Sequence, residues 1–328
     1  MAVLITCGFN MWLVNYLAGY NLSIIKVGVR VRGFYGYLFT SRLVKTILIR
    51  AFPKIASLFE PTKGPTPKAI HVTPLYEVTS RGVECIYSDA ICKQRGIVKC
   101  TGPPRMINLD GDYFFYLGFH ESIMRSVEVI SSLLNYGECF EFIKQNVCVE
   151  VNSIDLFNVE RLSRELVERL MSSRGVKVTF SSPTLLRDPL RTRRKHKTFL
   201  PSPINVFAAP IYVKLFMSGT FRTGVFRREL LRVHRLFSET YSALKTARVK
   251  WIYYSDKPIP ALVGFVNYRL NEEYPKFLED HGVDVAKWLE ELFAYTITMG
   301  VGAGRAAGFG HVELKPLHSS KATEAYTG

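Results

Sequence analysis

The order in which strand-like and helix-like segments recur is what most restricts the fold of this chain. Residues 22–32 mix β-branched side chains with Lys and Arg and read as a strand. Thr40 and Ser41 offer a cap for a helical stripe of Leu43, Val44, Ile47 and Leu48, which Pro53 ends. Prolines 61, 65 and 67 mark a loop, and residues 68–77 return to strand character. Residues 113–119 (YFFYLGF) read as a buried strand, followed by a helix with Ile123, Val127, Ile130 and Leu134 on its apolar face. Residues 138–151 are again extended. The order is β-α-β-β-α-β, a ferredoxin-like unit.

The pattern then restarts. Asn158 caps a short helix carrying Leu162, Leu166 and Leu170, with Gly175 closing it. Residues 176–180 read as a strand and 226–245 as a helix. Residues 249–254 and 261–270 form two strands around a turn at Ser255, Asp256, Lys257 and Pro258. Val285, Trp288, Leu289 and Leu292 mark another helix, and 311–315 the last strand. The expectation is an α+β fold of tandem ferredoxin-like (βαββαβ) domains: 22–157, a connecting helix at 158–174, and 175–316. Residues 1–21 are then an N-terminal extension and 317–328 a tail.

The N-terminal segment has no charge before Lys26, so it lacks the basic start of a signal peptide, and Asn10, Asn15 and Asn21 interrupt its apolar run. It reads as an extra segment packed on the domain, or as a start placed too far upstream. The expected location is cytoplasmic, without membrane anchoring. Hydrophobic residues make up 48% of the 328 and aromatics 13%, too many for a disordered chain. The 43 Lys and Arg against 28 Asp and Glu leave a net charge of +15, which favours a polyanionic partner, nucleic acid first. Six cysteines (7, 85, 92, 100, 139 and 148) show no C-x-x-C spacing, and the seven histidines no zinc pattern. Free or buried thiols in a reducing compartment are expected, with no metal and no cofactor.

Five glycines in eleven residues, Gly300, Gly302, Gly304, Gly308 and Gly310, with Arg305 among them, suggest backbone brought close to phosphates. A dinucleotide fingerprint is excluded, because only eighteen residues follow Gly310 and no helix and strand can complete the unit. Two basic clusters accompany the loop. Arg187, Arg191, Arg193, Arg194, Lys195 and Lys197 crowd one polar stretch, and Arg228, Arg232 and Arg235 recur at helical spacing. A polyphosphate ligand accounts for all three features. Valine at Gly302 or Gly308 is expected to block that ligand while sparing the fold.

The glycine pattern is also where a resemblance enters. Gly300-Val301-Gly302, five residues, then Gly308-Phe309-Gly310 is similar to the C-terminal motif of the CRISPR-associated endoribonucleases of the RAMP superfamily that cut repeat RNA in precursor transcripts. Residues 178–186 (VTFSSPTLL) with 199–203 (FLPSP) resemble the opening of that family's second domain, and 72–76 (VTPLY) a strand of its first. The likeness runs from about residue 24 to 316. It implies the RAMP architecture and binding of CRISPR repeat RNA. It further implies cleavage without metal, by attack of a 2′-oxygen, leaving a 2′,3′-cyclic phosphate and a 5′-hydroxyl. As partners it implies the repeat RNA, a multi-subunit effector complex and a homodimer. The rival reading is a non-catalytic repeat-RNA-binding subunit of such a complex.

Relatives in that family place a catalytic histidine on or after the first helix, and residues 33–60 here contain none. Such cleavage needs a proton acceptor, charge stabilisation on the phosphorane and an acid for the leaving oxygen. Arg42 and Lys45 share a helix face, Lys68 sits at the edge of the next strand, and Arg305 could close the site. Tyr35, Tyr37 and His71 are the remaining proton carriers, His71 being expected to face solvent because it alternates with Ile70 and Val72. If the basic clusters touch RNA phosphates, log affinity falls with log salt at about 0.7 per neutralised single-strand phosphate. Replacing Arg191, Arg193 and Arg194 with Glu is expected to flatten that slope; an unchanged slope in filter binding places this cluster away from the RNA.

Overall fold

Strand β1 (Leu22–Gly36) organises the first half of the chain, and the structure, a computed structural model, describes residues 20–60, 66–95, 97–191, 197–240 and 246–317. Val27, Val29 and Val31 of β1 point into one core, while Lys26, Arg30 and Arg32 line the other face. Helix α1 (Ser41–Ala51) lays Leu43, Val44, Ile47 and Leu48 on that core, the stripe its spacing predicts. The expected strand at 68–77 is two, β2 (Ile70–Val72) and β3 (Tyr76–Thr79). Pro74 has no N–H to give the ladder, and the pairing stops at Thr73, whose N–H donates to Tyr116 O while its hydroxyl accepts from Tyr116 N. Both strands pair with β4 (Ile107–His120), which pairs with β1.

Helix α2 (Ser126–Leu133) follows, with its inner face offset from the expected one. Glu121 accepts from Ser126 N, which sets where the helix begins and turns Val129 and Leu133 inward. Ile123, Val127 and Leu134 are exposed. Strands β5 (Gly137–Phe142) and β6 (Gln145–Phe157) then form a hairpin, and β6 returns to β1. The central order β2/β3, β4, β1, β6 is ferredoxin-like. Helix α3 (Val159–Ser173) is capped by Asn158 as predicted, but Arg174, not Gly175, takes the left-handed position that ends it.

The second half repeats the arrangement as β10–β7–β9–β8: β7 (Gly175–Thr184), β8 (Ala247–Tyr254), β9 (Lys257–Leu270) and β10 (Val312–Pro316). Helix α4 (Pro203–Met217), opened by the Ser202 cap, was not legible from periodicity. It is apolar around much of its circumference, with Val206, Phe207, Ile211 and Leu215 buried and Pro210 within it. Helix α5 (Thr223–Leu236) ends nine residues before the expected 245, because Phe237–Glu239 leaves it to pair with β9; residues 241–245 lie outside the described ones. Helix α6 (Val285–Met299) matches its predicted face. Among the described residues no helix is long and apolar enough to cross a membrane.

The cysteines depart from expectation. Cys92 bonds Cys100 and Cys139 bonds Cys148, because each pair stands directly opposite across an antiparallel hairpin. Cys85 alone is free among the described residues.

Besides the apolar packing of α6 on β1, two joints hold one half against the other beside the pocket described below. A short strand, Asp89–Ala90, leaves the first half and pairs with β8, while Ser88 accepts from Tyr253 N and exchanges hydrogen bonds with Leu38. The second joint is the glycine-rich loop. Gly308 (φ +99°) sits on the first turn of α1, where a Cβ would collide with Ser41 and the Phe39 ring. Gly302 (φ +67°) rests on Leu185 O in the same way. Protein atoms therefore occupy the space beside these glycines, and the expectation that valine there spares the fold does not hold. Gly308→Ala is expected to lower stability by on the order of 1–3 kcal/mol, from the left-handed backbone alone, before the clash is added. Thermal unfolding monitored by circular dichroism checks this; an unchanged midpoint would contradict it.

Candidate active site

At the seam of the two halves lies a pocket of about 210 Å³. The first half contributes Tyr37, Arg42 and Lys45; the second contributes Tyr253, Tyr254 and Asp256 from the β8–β9 hairpin. Beneath it is a small core of its own. Phe39 and Phe309 stack with centroids 4.5 Å apart, and Tyr254 packs edge-on to both at 5.8 and 5.3 Å. Ile252 and Ala261 complete that core. The Ser41 hydroxyl donates to Ala307 O at 2.6 Å, tying α1 to the glycine loop. The Thr40 hydroxyl, foreseen as a helix cap, instead accepts from Leu75 N and donates to Ile86 O.

Arg42 is exposed and Lys45 half-buried one turn on. The Lys45 ammonium lies 5.0 Å from the Phe59 ring centroid, and Lys68 Nζ donates to Phe59 O at 2.9 Å, so both lysines converge on one residue. Burial, then the Arg42 charge, lowers the Lys45 pKa. Burial, then the Lys45 charge, lowers that of Lys68, with Glu60 opposing. A lysine so placed moves protons nearer neutrality than a free one. Tyr37 meets Tyr253 edge-to-face at 5.8 Å, and the Tyr253 hydroxyl donates to Asp256 Oδ1 at 3.4 Å.

His71 does not join this pocket. Both faces of β2 are covered, one by the first core and the other by α6, so alternation along the strand does not bring the ring to solvent. His71 is 1% exposed, and its Nδ1–H donates to Thr298 O at 3.3 Å. Burial, the His311 ring and Arg305 hold its pKa well below the usual histidine value. It packs beside His311, which stacks on Tyr116 at 4.8 Å. The Arg305 guanidinium turns inward, donating to Met299 O at 3.3 Å and Lys68 O at 3.2 Å. It thus holds the Lys68 backbone rather than opening to a ligand.

Gly300, Gly302, Gly304 and Gly310 form the rest of the same packed loop, of which Gly304 alone is exposed. Of the first basic cluster, Arg187, Arg191 and Lys197 are exposed, Arg191 being paired with Asp188; Arg193, Arg194 and Lys195 lie outside the described residues. Arg228 is exposed. Arg232 pairs with the buried Glu229, which also accepts from Trp288 Nε1, and Arg235 lies over Tyr274. Sequence reasoning missed Tyr253, Tyr254 and Asp256. Their turn was visible, but nothing in it signalled that the hairpin reaches the first half.

Residues 178–312 match the family model described as the CRISPR-associated endoribonuclease Cas6. The Cas6 match includes the β8–β9 hairpin and the glycine-rich loop, and stops short of Tyr37, Arg42, Lys45 and Lys68. Among solved structures, a Cas6 product complex from Thermus thermophilus shares the fold with a TM-score of 0.52, 14% identity, and coverage of 90% of this chain and 100% of its own. A RAMP protein described as binding different RNA substrates gives 0.47, 14%, 89% and 99%. A Cas6-related protein from Pyrococcus furiosus gives 0.46, 12%, 89% and 98%. No curated protein matches the chain.

The buried histidines make the seam sensitive to acid. Burial lowers the pKa of His311 to about 4, and that of His71 also falls. The unfolded chain, with histidines near 6.5, therefore binds more protons than the folded one in this range. Stability is full above about pH 6.5 and is lost as pH falls from there toward 4. His311→Phe, which keeps a ring on Tyr116, is expected to flatten the drop in melting temperature between pH 7.5 and 5; an equal drop in the variant would contradict this.

Proposed function

We propose that this protein is a metal-independent endoribonuclease that cuts CRISPR repeat RNA at the seam pocket, in the cytoplasm, where precursor transcripts arise. The observation that carries the reading is the placement of Arg42 and Lys45 in a pocket completed by the second half, with Lys68 close enough to feel the Lys45 charge and both lysines made less basic by burial. Lys45, flanked by Arg42, gives up its proton more readily and takes that of the 2′-hydroxyl. Lys68, its charge favoured by Glu60, keeps a proton for the 5′-oxygen that leaves. Coupled groups whose environments separate their pKa values are suited to such a division. The 2′-oxygen bonds to phosphorus as the bond to the 5′-oxygen breaks, leaving a 2′,3′-cyclic phosphate and a 5′-hydroxyl. Arg42 stays protonated and stabilises charge on the phosphorane, and Tyr37 orients the nucleotide.

His71 has no part in this scheme, since its ring is enclosed. Without a histidine at the pocket, a second reading stands beside the first: a non-catalytic subunit that holds repeat RNA in an effector complex. Homodimer formation belongs to either reading. Labelled repeat RNA incubated in EDTA separates them, a single discrete cut supporting the enzyme and a stable uncut complex the subunit.

For the enzyme, the single-turnover rate is expected to rise with pH between about 7 and 9, as a lysine lowered from its ordinary value of about 10.4 loses its proton. Lys45→Arg, which retains charge but not basicity, is expected to abolish that rise and slow cleavage by on the order of a hundredfold to ten-thousandfold. His71→Phe is expected to keep the profile. An identical pH dependence in Lys45→Arg would remove Lys45 as the base, and cutting of a 2′-deoxy substrate would remove the mechanism altogether.

A further inference from the structure

Asp256 is the one acidic residue of a pocket that otherwise carries Arg42 and Lys45. A carboxylate weakens any site meant only for phosphate, because it repels the charge that the cations attract. Among the described residues Asp256 forms no ion pair, and its one side-chain hydrogen bond, from the Tyr253 hydroxyl, is long at 3.4 Å. Its acceptors are therefore left for donors that the protein does not supply.

Ser255 (φ 49°) and Asp256 (φ 60°) are the two central residues of the β8–β9 hairpin, and both are left-handed, a conformation that aspartate adopts readily. The tight two-residue turn holds the carboxylate at the pocket. The hairpin also presents Tyr253 edge-to-face with Tyr37, and aromatic rings of this sort are the surfaces on which unpaired RNA bases stack. At about 210 Å³ the pocket is below the roughly 300 Å³ at which sites for drug-sized ligands begin, a scale suited to one base.

We propose that this pocket is a guanine-specific subsite, with the base against Tyr37 and Tyr253 and the Asp256 carboxylate on its N1–H and N2 amino group. Guanine alone places two donors side by side on its pairing edge. Adenine and cytosine set one amino group beside an acceptor, and uracil sets one N–H between two acceptors; a carboxylate meets repulsion at each. Single-stranded RNA leaves this edge free. The inference rests on the reading of the chain as a repeat-RNA endoribonuclease and assigns the base that the pocket selects.

The test replaces each guanine of a repeat RNA in turn with inosine, which lacks only the N2 amino group, and measures single-turnover cleavage and binding by wild-type protein and Asp256→Asn. Asparagine tolerates the left-handed turn, and circular dichroism verifies the fold. At one position wild type is expected to prefer guanine over inosine by on the order of tenfold to a hundredfold. In Asp256→Asn that ratio is expected to collapse toward one, whatever the absolute rate, an outcome a merely structural role for Asp256 does not produce. Tyr253→Leu is expected to weaken binding of both RNAs equally. If wild type cuts the RNA but discriminates at no position, or if Asp256→Asn keeps the full ratio, the subsite assignment is overturned. If wild type neither binds nor cuts repeat RNA, the failure lies in the underlying function.

Discussion

The contact between the glycine-rich loop and the first turn of α1 is the one on which the rest of the seam depends. Gly308 lies on Ser41 so closely that no side chain fits, the Ser41 hydroxyl donates to Ala307 O, and Phe39 and Phe309 stack beside them. These interactions join a helix of the first half to a loop of the second and leave little freedom between them. The β8–β9 hairpin is held from the other side, through Asp89–Ala90 and Ser88. With both joints closed, Arg42 and Lys45 stand across a narrow pocket from Tyr253 and Asp256. Loosening either joint widens the pocket and moves the cations of one half away from the hairpin of the other.

Burial at this seam acts on basic groups in two opposed ways. It removes His71 and His311 from acid–base work by enclosing their rings and holding them neutral. The same desolvation, applied only in part, lowers the pKa of Lys45, which lines the pocket, and of Lys68, whose ammonium donates to Phe59 O. Arg305 contributes indirectly, its guanidinium bound to the carbonyls of Met299 and Lys68. An arginine that looked from its glycine-rich setting like a ligand for phosphate is instead a brace for the Lys68 backbone.

Periodicity carried the sequence reading where elements were amphipathic on one side, as in α1, α3 and α6, and misled it where they were not. Helix α4 shows no stripe because much of its surface is covered, and β2 shows a misleading alternation because a second layer covers its outer face. The phase of α2 depended on Glu121, a cap invisible to a pattern of apolar residues. Cys92 with Cys100 and Cys139 with Cys148 were eight and nine residues apart in hairpins, yet only the register shows that they face each other.

The sequence by itself determined the α+β order, its repetition, the basic charge and the permissive backbone at the five glycines of the loop, because each follows from local spacing or composition. It also placed Arg42, Lys45 and Tyr37 near one another, since they share one helix and the turn before it. Only the tertiary structure decided that His71 is enclosed, that the glycines make room for protein rather than for a ligand, and that Asp256 reaches the pocket. His71 meets Thr298, Gly308 meets Ser41 and Asp256 meets the pocket of Arg42 across more than two hundred residues of chain, and no local pattern records which faces are covered when the two sheets pack.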